Sequence, residues 1–125
     1  MTKFTFKKSE KLKSKKVIDQ MFQRKGKSFG MFPLRLIWIE MEEAKSDFPI
    51  QFALSVPKRT FPKAVHRNRI RRLVREAWRL NKHRLYQRLE GQNRQFAFMV
   101  LYIGKEPFEF EKIEEEMKRM MKRFV

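Results

Sequence analysis

Eight consecutive residues, Phe96 to Ile103 (FAFMVLYI), are apolar without a break. Successive side chains of a strand point to opposite faces, so an extended run of this kind has no face to offer to water. It predicts a strand at the centre of a sheet with cover on both sides. A chain of 125 residues has room for one such core.

The flanking segments supply the cover. Ser14 is placed to cap a short helix in which Val17, Ile18, Met21 and Phe22 share one face, and Gly26 is placed to end it. Phe32 to Met41 (FPLRLIWIEM) predicts a strand with Leu34, Leu36 and Trp38 on one face and Ile37 and Ile39 on the other. Ile50 to Val56 alternates Ile50, Phe52, Leu54 and Val56 with Gln51, Ala53 and Ser55. The small and polar side of that strand suggests an open groove, with the short helix as its wall. Pro62 precedes a long helix from about Ala64 to Tyr86, and Phe110, Ile113, Met117, Met120, Met121 and Phe124 recur at helical spacing at the C-terminus. The order helix, strands, helix, strand, helix gives an α+β fold: a single-domain sandwich of helices on a mostly antiparallel sheet. Residues 1–13 read as a basic tail and residues 14–125 as the domain.

Charge narrows the function. Lys and Arg number 31 against 14 Asp and Glu, a formal net charge of +17. A field of that size attracts polyanions through several Å of solvent, so nucleic acid or an anionic membrane is the expected partner. Residues 1–27 carry 10 basic against 2 acidic side chains and residues 58–88 carry 12 against 1, while 28–57 (2 against 4) and 89–125 (7 against 7) are close to neutral. This is a basic surface on an ordinary scaffold. Thirteen Phe exclude a disordered basic tail. The absence of Cys excludes disulfides, thiolate nucleophiles and Cys-based zinc sites. Without a secretory h-region or an apolar run near 18 residues, the expectation is a soluble cytoplasmic protein, and membrane binding, which requires a basic helix with a large exposed apolar face, is not expected because strands are there to cover that face.

The long helix holds the charge. With Ile70 at 0° and about 100° per residue, Leu73, Val74, Ala77 and Asn81 form the inward stripe. Asn68, Arg72, Arg75 and Arg79 cluster at the opposite pole, with Arg69 and Arg71 on the flanks and Arg67 nearer the apolar edge. Glu76 is the one carboxylate between Lys58 and Arg88. A merely solvated face mixes signs and uses Lys freely. This one favours Arg, whose planar fork grips phosphate with paired hydrogen bonds, and Asn68 adds a group able to donate to phosphate and accept from a ribose hydroxyl. His66 and His83 are far apart and no acids pair on the basic face, so no metal site, triad or acid–base pair assembles. No catalytic residue and no protein-bound cofactor is expected.

The segment Ser55 to Arg79, SVPKRTFPKAVHRNRIRRLVREAWR, resembles the signature of the bacterial ribonuclease P protein family. That family carries a Ser-Val pair, a basic pair, a turn, then Ala-Val-x-Arg-Asn-Arg-Ile-basic-Arg at this spacing. The resemblance implies a sandwich with a left-handed crossover between the third and fourth strands. It implies a protein that binds a catalytic RNA and assists endonucleolytic removal of the 5′ leader from precursor tRNA, with Mg²⁺ on the RNA performing the hydrolysis. It assigns contact with the catalytic RNA to Arg67, Asn68, Arg69, Arg71, Arg72 and Arg75, and matches Lys58 and Arg59 to the basic pair. Arg79 extends the same face. It further implies a leader-binding groove between the first helix and the sheet, where aromatic side chains stack on bases. Phe22 matches one such aromatic, Ile18 stands where Phe is usual, and Trp38 or Phe29 is available to compensate. Pro62-Lys63 replaces the usual Gly-Asn before the helix.

Two alternatives stand beside this reading. A ribosomal-type, non-enzymatic RNA-binding protein uses similar sandwiches, and Ile18 with Phe22 is equally compatible with plain core. The partners expected are the catalytic RNA and precursor tRNA, with no stable protein partner. If six to eight phosphates are neutralised, a plot of log affinity for RNA against log salt should have a slope on the order of −4 to −7. A flat salt titration would contradict a phosphate-gripping surface.

Overall fold

The computed structural model describes residues 10–41 and 48–124. A short helix α1 (Lys15–Gln20) runs into a π-helical turn (Met21–Lys25), followed by β1 (Lys27–Met31), β2 (Leu34–Met41), β3 (Ile50–Ser55), α2 (Ala64–Leu89), β4 (Gln95–Tyr102) and α3 (Phe110–Phe124). The sheet order is β1-β2-β4-β3. β1 with β2 and β2 with β4 are antiparallel, whereas β3 and β4 are parallel neighbours joined through α2. The expected α+β sandwich is therefore present, with a mixed sheet.

β4 is the central strand its composition requires. Phe96, Phe98, Val100 and Tyr102 enter the main core with Leu34, Leu36, Ile50 and Phe52, beneath Ile70, Val74, Ala77 and Trp78 of α2 and Ile113, Met117 and Met120 of α3. Trp78 stacks on Phe52 at 4.5 Å between ring centroids. Ala97 and Met99, on the other face of β4, are buried with Leu12 and Met21 under α1. Ile103 lies past the end of the strand and is exposed.

Several boundaries differ from the sequence reading. β1 was not anticipated; it forms a hairpin with β2 by pairing Lys27 with Trp38 through to Met31 with Leu34. α2 extends to Leu89 and buries Trp78, which lies beyond the narrow stripe centred on Ile70. Of the proposed tail, residues 1–9 lie outside the described part, but residues 10–12 belong to the folded body. The Leu12 N–H donates to the Phe52 carbonyl at 2.9 Å, beside a parallel bridge between Lys11 and Phe52. Glu10 is buried against Lys82, an ion pair with both side chains almost wholly removed from solvent. Tyr86 Oη donates to the same carboxylate at 2.6 Å. Burial, and then the Glu10 carboxylate, hold this phenol far above its ordinary value. The chain is thus fastened to α2 before α1 begins.

Local chemistry sets the ends of α1. Ser14 Oγ accepts from the Val17 N–H at 3.3 Å, satisfying one free donor of the first turn. Gly26 ends the π turn with extended backbone, φ −81° and ψ 143°. Its glycine is required by proximity: a Cβ there would lie 2.6 Å from the Met21 carbonyl oxygen and 3.0 Å from Ile37 Cγ2.

Two outcomes follow for urea denaturation. Gly26→Ala forces the helix end off β2 and should destabilise by about 1–3 kcal/mol; unchanged stability would show that the contact yields freely. Lys82→Met strands a buried carboxylate and should cost about 3–5 kcal/mol, of which most returns when Glu10→Gln is added. No recovery in the double variant would mean that the ion pair is not what fastens residues 10–12.

Candidate nucleic-acid interface

α2 places its inward stripe on the sheet and turns the opposite side to solvent. Asn68, Arg71, Arg72, Arg75, Glu76 and Arg79 line one groove along this outer side. Their side chains are not equivalent. Arg79 is paired with Glu76, donating through Nε at 3.1 Å and through a second, shorter contact from Nη2. That hydrogen bond holds the Glu76 carboxyl below its usual range and raises the Arg79 guanidinium. Arg71 Nη1 lies 3.5 Å from Asn68 Oδ1, a long contact that faces the amide carbonyl toward the guanidinium. Arg72 and Arg75 are exposed and have no ion-pair partner among the described residues, and Arg69 is exposed on the flank. The uncompensated positive charge of the groove therefore lies on Arg71, Arg72 and Arg75, of which Arg72 and Arg75 are the exposed pair, with Arg69 to one side.

Arg67 does something else. Its Nη1 donates to the carbonyls of Phe61 and Pro62, each at 2.8 Å. Phe61 is buried and its N–H closes a turn onto the Pro57 carbonyl at 3.0 Å. Arg67 thus holds the turn that carries Lys58 and Arg59, both exposed, against the start of α2. Lys63, the residue before the helix, makes no side-chain cap, so Arg67 is the side chain that ties the Pro62-Lys63 entry to the helix. The family resemblance counted Arg67 among the RNA contacts; the backbone carbonyls it reaches were not legible in the sequence.

The second face of the sheet forms a groove beside α1. Across the strands, Arg35, Leu101 and Ser55 form one row, Ile37, Met99 and Ala53 the next, and Ile39, Ala97 and Gln51 a third. Met21 is buried on this surface and Val17 and Ile18 pack partly buried against it. Phe22, by contrast, is 54% exposed. Of the two candidate groove residues on the helix, Ile18 is wall and Phe22 is a free ring, so the reading of both as core does not hold for Phe22.

Trp38 does not belong to this groove. β2 points it to the α3 side, where it meets Phe96 at 5.8 Å and Phe124 at 4.9 Å between centroids. It shares the parity of Leu34 and Leu36, the side that the main core takes, so it is on the wrong face of the sheet to compensate for Ile18. Phe29 lies on that same side, under the Arg123 guanidinium at 4.6 Å. The groove residue that was missed is Arg35, exposed and bonded through Nη2 to Ser28 Oγ at 3.0 Å. A lone cation at the odd positions of an otherwise apolar strand was its sequence signal.

Among the described residues, no group of three or more His, Asp or Glu side chains is placed to hold a metal ion. No described helix is long and apolar enough to cross a membrane.

Comparisons with known proteins bear on this arrangement. A family profile described as Ribonuclease P matches residues 6–125. The ribonuclease P protein component of Porphyromonas gingivalis strain ATCC 33277 is 34% identical over 118 residues, covering 94% of this chain and 85% of the relative. That of Chlorobium phaeobacteroides is 34% identical over 126 aligned positions, covering 94% and 86%. The structure of the Staphylococcus aureus RNase P protein matches with a TM-score of 0.70 at 18% identity, covering 94% of this chain and 96% of that one. The RNase P protein from Thermotoga maritima matches with a TM-score of 0.69 at 21% identity, covering 90% and 96%. At those identities the two structures speak for the fold, while the profile and the sequence relatives, which span nearly the whole chain, identify it: the chain belongs to the ribonuclease P protein component family.

Proposed function

We propose that this protein is the RNA-binding subunit of ribonuclease P, acting in removal of the 5′ leader from precursor tRNA. The outer side of α2 takes the catalytic RNA and the α1–sheet groove takes the leader. The observation that carries the first assignment is the pair of exposed, uncompensated guanidinium groups of Arg72 and Arg75 beside Asn68, on the side of α2 directed away from the core. Lys58, Arg59 and Arg69 extend it. Arg71 contributes through the same groove, whereas Arg67 acts by positioning and Arg79 is already neutralised by Glu76.

The leader assignment rests on Phe22, Ile18 and Arg35. An exposed ring offers a sequence-tolerant surface for a base, an aliphatic wall adds contact, and a guanidinium can hold the adjacent phosphate. We assign the hydrolysis to the RNA subunit and its Mg²⁺. The basic face presents guanidinium groups, which neither take nor release protons near neutral pH. The expected compartment is the cytoplasm.

Leader cleavage by the cognate catalytic RNA, titrated with Mg²⁺, tests the assignment: added protein should lower the Mg²⁺ required, and protein without RNA should not cleave. Cleavage by protein purified free of RNA would overturn it. Arg72→Ala with Arg75→Ala should make the salt slope for catalytic RNA binding shallower by about 1.4 to 1.8, at 0.7 to 0.9 per phosphate. As exposed residues they should alter stability by no more than about 0.5 kcal/mol each. A matching loss of stability would make them structural. Phe22→Ala should weaken binding of precursor tRNA by about 1–3 kcal/mol and leave mature tRNA unaffected; an unchanged preference for precursor would remove Phe22 from the leader site.

A further inference from the structure

A second basic site lies on the other side of the same helix. The last turns of α2 and the second half of α3 enclose a cavity of about 260 Å³. Its apolar lining comes from Leu85 and Met121, both buried in the main core. Arg84, Arg88, Lys118 and Lys122 surround it, all exposed. Arg84, Arg88 and Lys122 have no ion-pair partner among the described residues, and Lys118 reaches Glu114 only at 3.9 Å. The carboxylate in the lining, Glu115, is already taken by Arg119 at 2.9 Å.

Asn81 completes the lining. Its Nδ2 donates to the Ala77 carbonyl at 2.8 Å and to Glu114 Oε2 at 3.1 Å. Both partners are acceptors, so the amide orientation is determined, and Oδ1 has no donor among the described residues. The site thus combines an apolar floor, an acceptor and a rim of cations. Because the protein is read as an RNA-binding subunit, the anion that this chemistry is matched to is a nucleotide. A nucleotide can set its phosphate on the rim of cations, its base against the edges of Leu85 and Met121 and the aliphatic stems of the surrounding Arg and Lys side chains, and a base N–H toward Asn81.

The position on the helix separates this site from the one described above. At about 100° per residue, Arg84 and Arg88 lie roughly 140° and 180° around α2 from Arg79, and Arg88 is about 24 Å along the axis from Arg72. Phosphates lying on Arg72 and Arg75 cannot also occupy the cavity.

We infer that the α2–α3 cavity binds an unpaired nucleotide of the catalytic RNA, at a segment distinct from the one held by Arg72 and Arg75. This rests on the reading of the protein as an RNA-binding subunit. The helix is then gripped from two sides, and its ordering on the RNA is a two-point attachment.

The test compares two double variants, binding the cognate catalytic RNA over a salt series. Arg84→Ala with Arg88→Ala should lower affinity about tenfold or more and reduce the slope by about 1.4 to 1.8. Combined with Arg72→Ala and Arg75→Ala, the losses should multiply, as for independent sites. A ribonuclease footprint should lose protection of an unpaired segment that the Arg72 and Arg75 variant still protects. Lys122→Gln, on α3, should lose the same protection, which guards against an effect of α2 alone. If the Arg84 and Arg88 variant binds as the unaltered protein does while the Arg72 and Arg75 variant is weakened, the inference fails and the function stands. If neither variant weakens binding, both fail. Binding of anionic phosphatidylserine vesicles that depends on Arg84 and Arg88, with RNA binding unchanged, would also overturn it.

Discussion

Burial of β4 on both faces is the constraint from which the rest of the structure follows. A strand with Phe96, Phe98 and Val100 on one side and Ala97 and Met99 on the other needs two layers of cover. Each large side chain removed from water contributes about 1.5–3 kcal/mol, so the cover is worth making. α2 and α3 provide it on one face and thereby present the outer side of α2 to solvent. On the other face the cover is a helix of six residues, a π turn and the packed segment 10–12. Among the described residues that layer leaves a groove lined by Arg35, Leu101 and Ser55. Both candidate interfaces follow from how one strand is buried.

The two long helices show how scaffold and interface differ when both are highly charged. α3 mixes its charges: Lys112 with Glu116, Lys118 with Glu114 and Arg119 with Glu115 face each other at one-turn spacing, the first two at 3.9 Å, while Lys122 is left over at the α2–α3 cavity. Along its outer side α2 has one such pair, Glu76 with Arg79. Like charges at that density oppose helix formation, and α2 tolerates them because Trp78, Ile70 and Val74 anchor it and because the buried Lys82 is compensated by Glu10. The excess is then available to a polyanion.

Much of this was legible in the residues. The unbroken run at 96–103 placed the central strand, the 3.6-residue period of α2 separated the core stripe from the arginines, and Ser14 and Gly26 marked the ends of the first helix. What was not legible depended on pairing between distant segments. β1, Lys-Ser-Phe-Gly-Met, carries too little apolar alternation to declare itself, and it exists because β2 offers an edge. Trp38 was grouped correctly with Leu34 and Leu36, but periodicity cannot say which face α1 will cover. Trp78 was missed because α2 is buried more deeply than a stripe 120° wide allows. Glu10 with Lys82, 72 residues apart, has no local signature at all. The same holds for Arg67, whose basic character suggested RNA and whose partners are backbone carbonyls.

The central claim is that the two faces hold two different RNAs. Because the chain contains no cysteine, single-cysteine variants can each carry one iron–EDTA group that cuts nearby RNA with hydroxyl radicals. Val65→Cys, at the exposed start of α2, and Gln23→Cys, beside Phe22, place the probe on the two faces. In the assembled ribonucleoprotein with precursor tRNA, the account predicts cuts in the catalytic RNA from Val65→Cys and cuts in the 5′ leader from Gln23→Cys. Leader cuts from Val65→Cys with none from Gln23→Cys would contradict it.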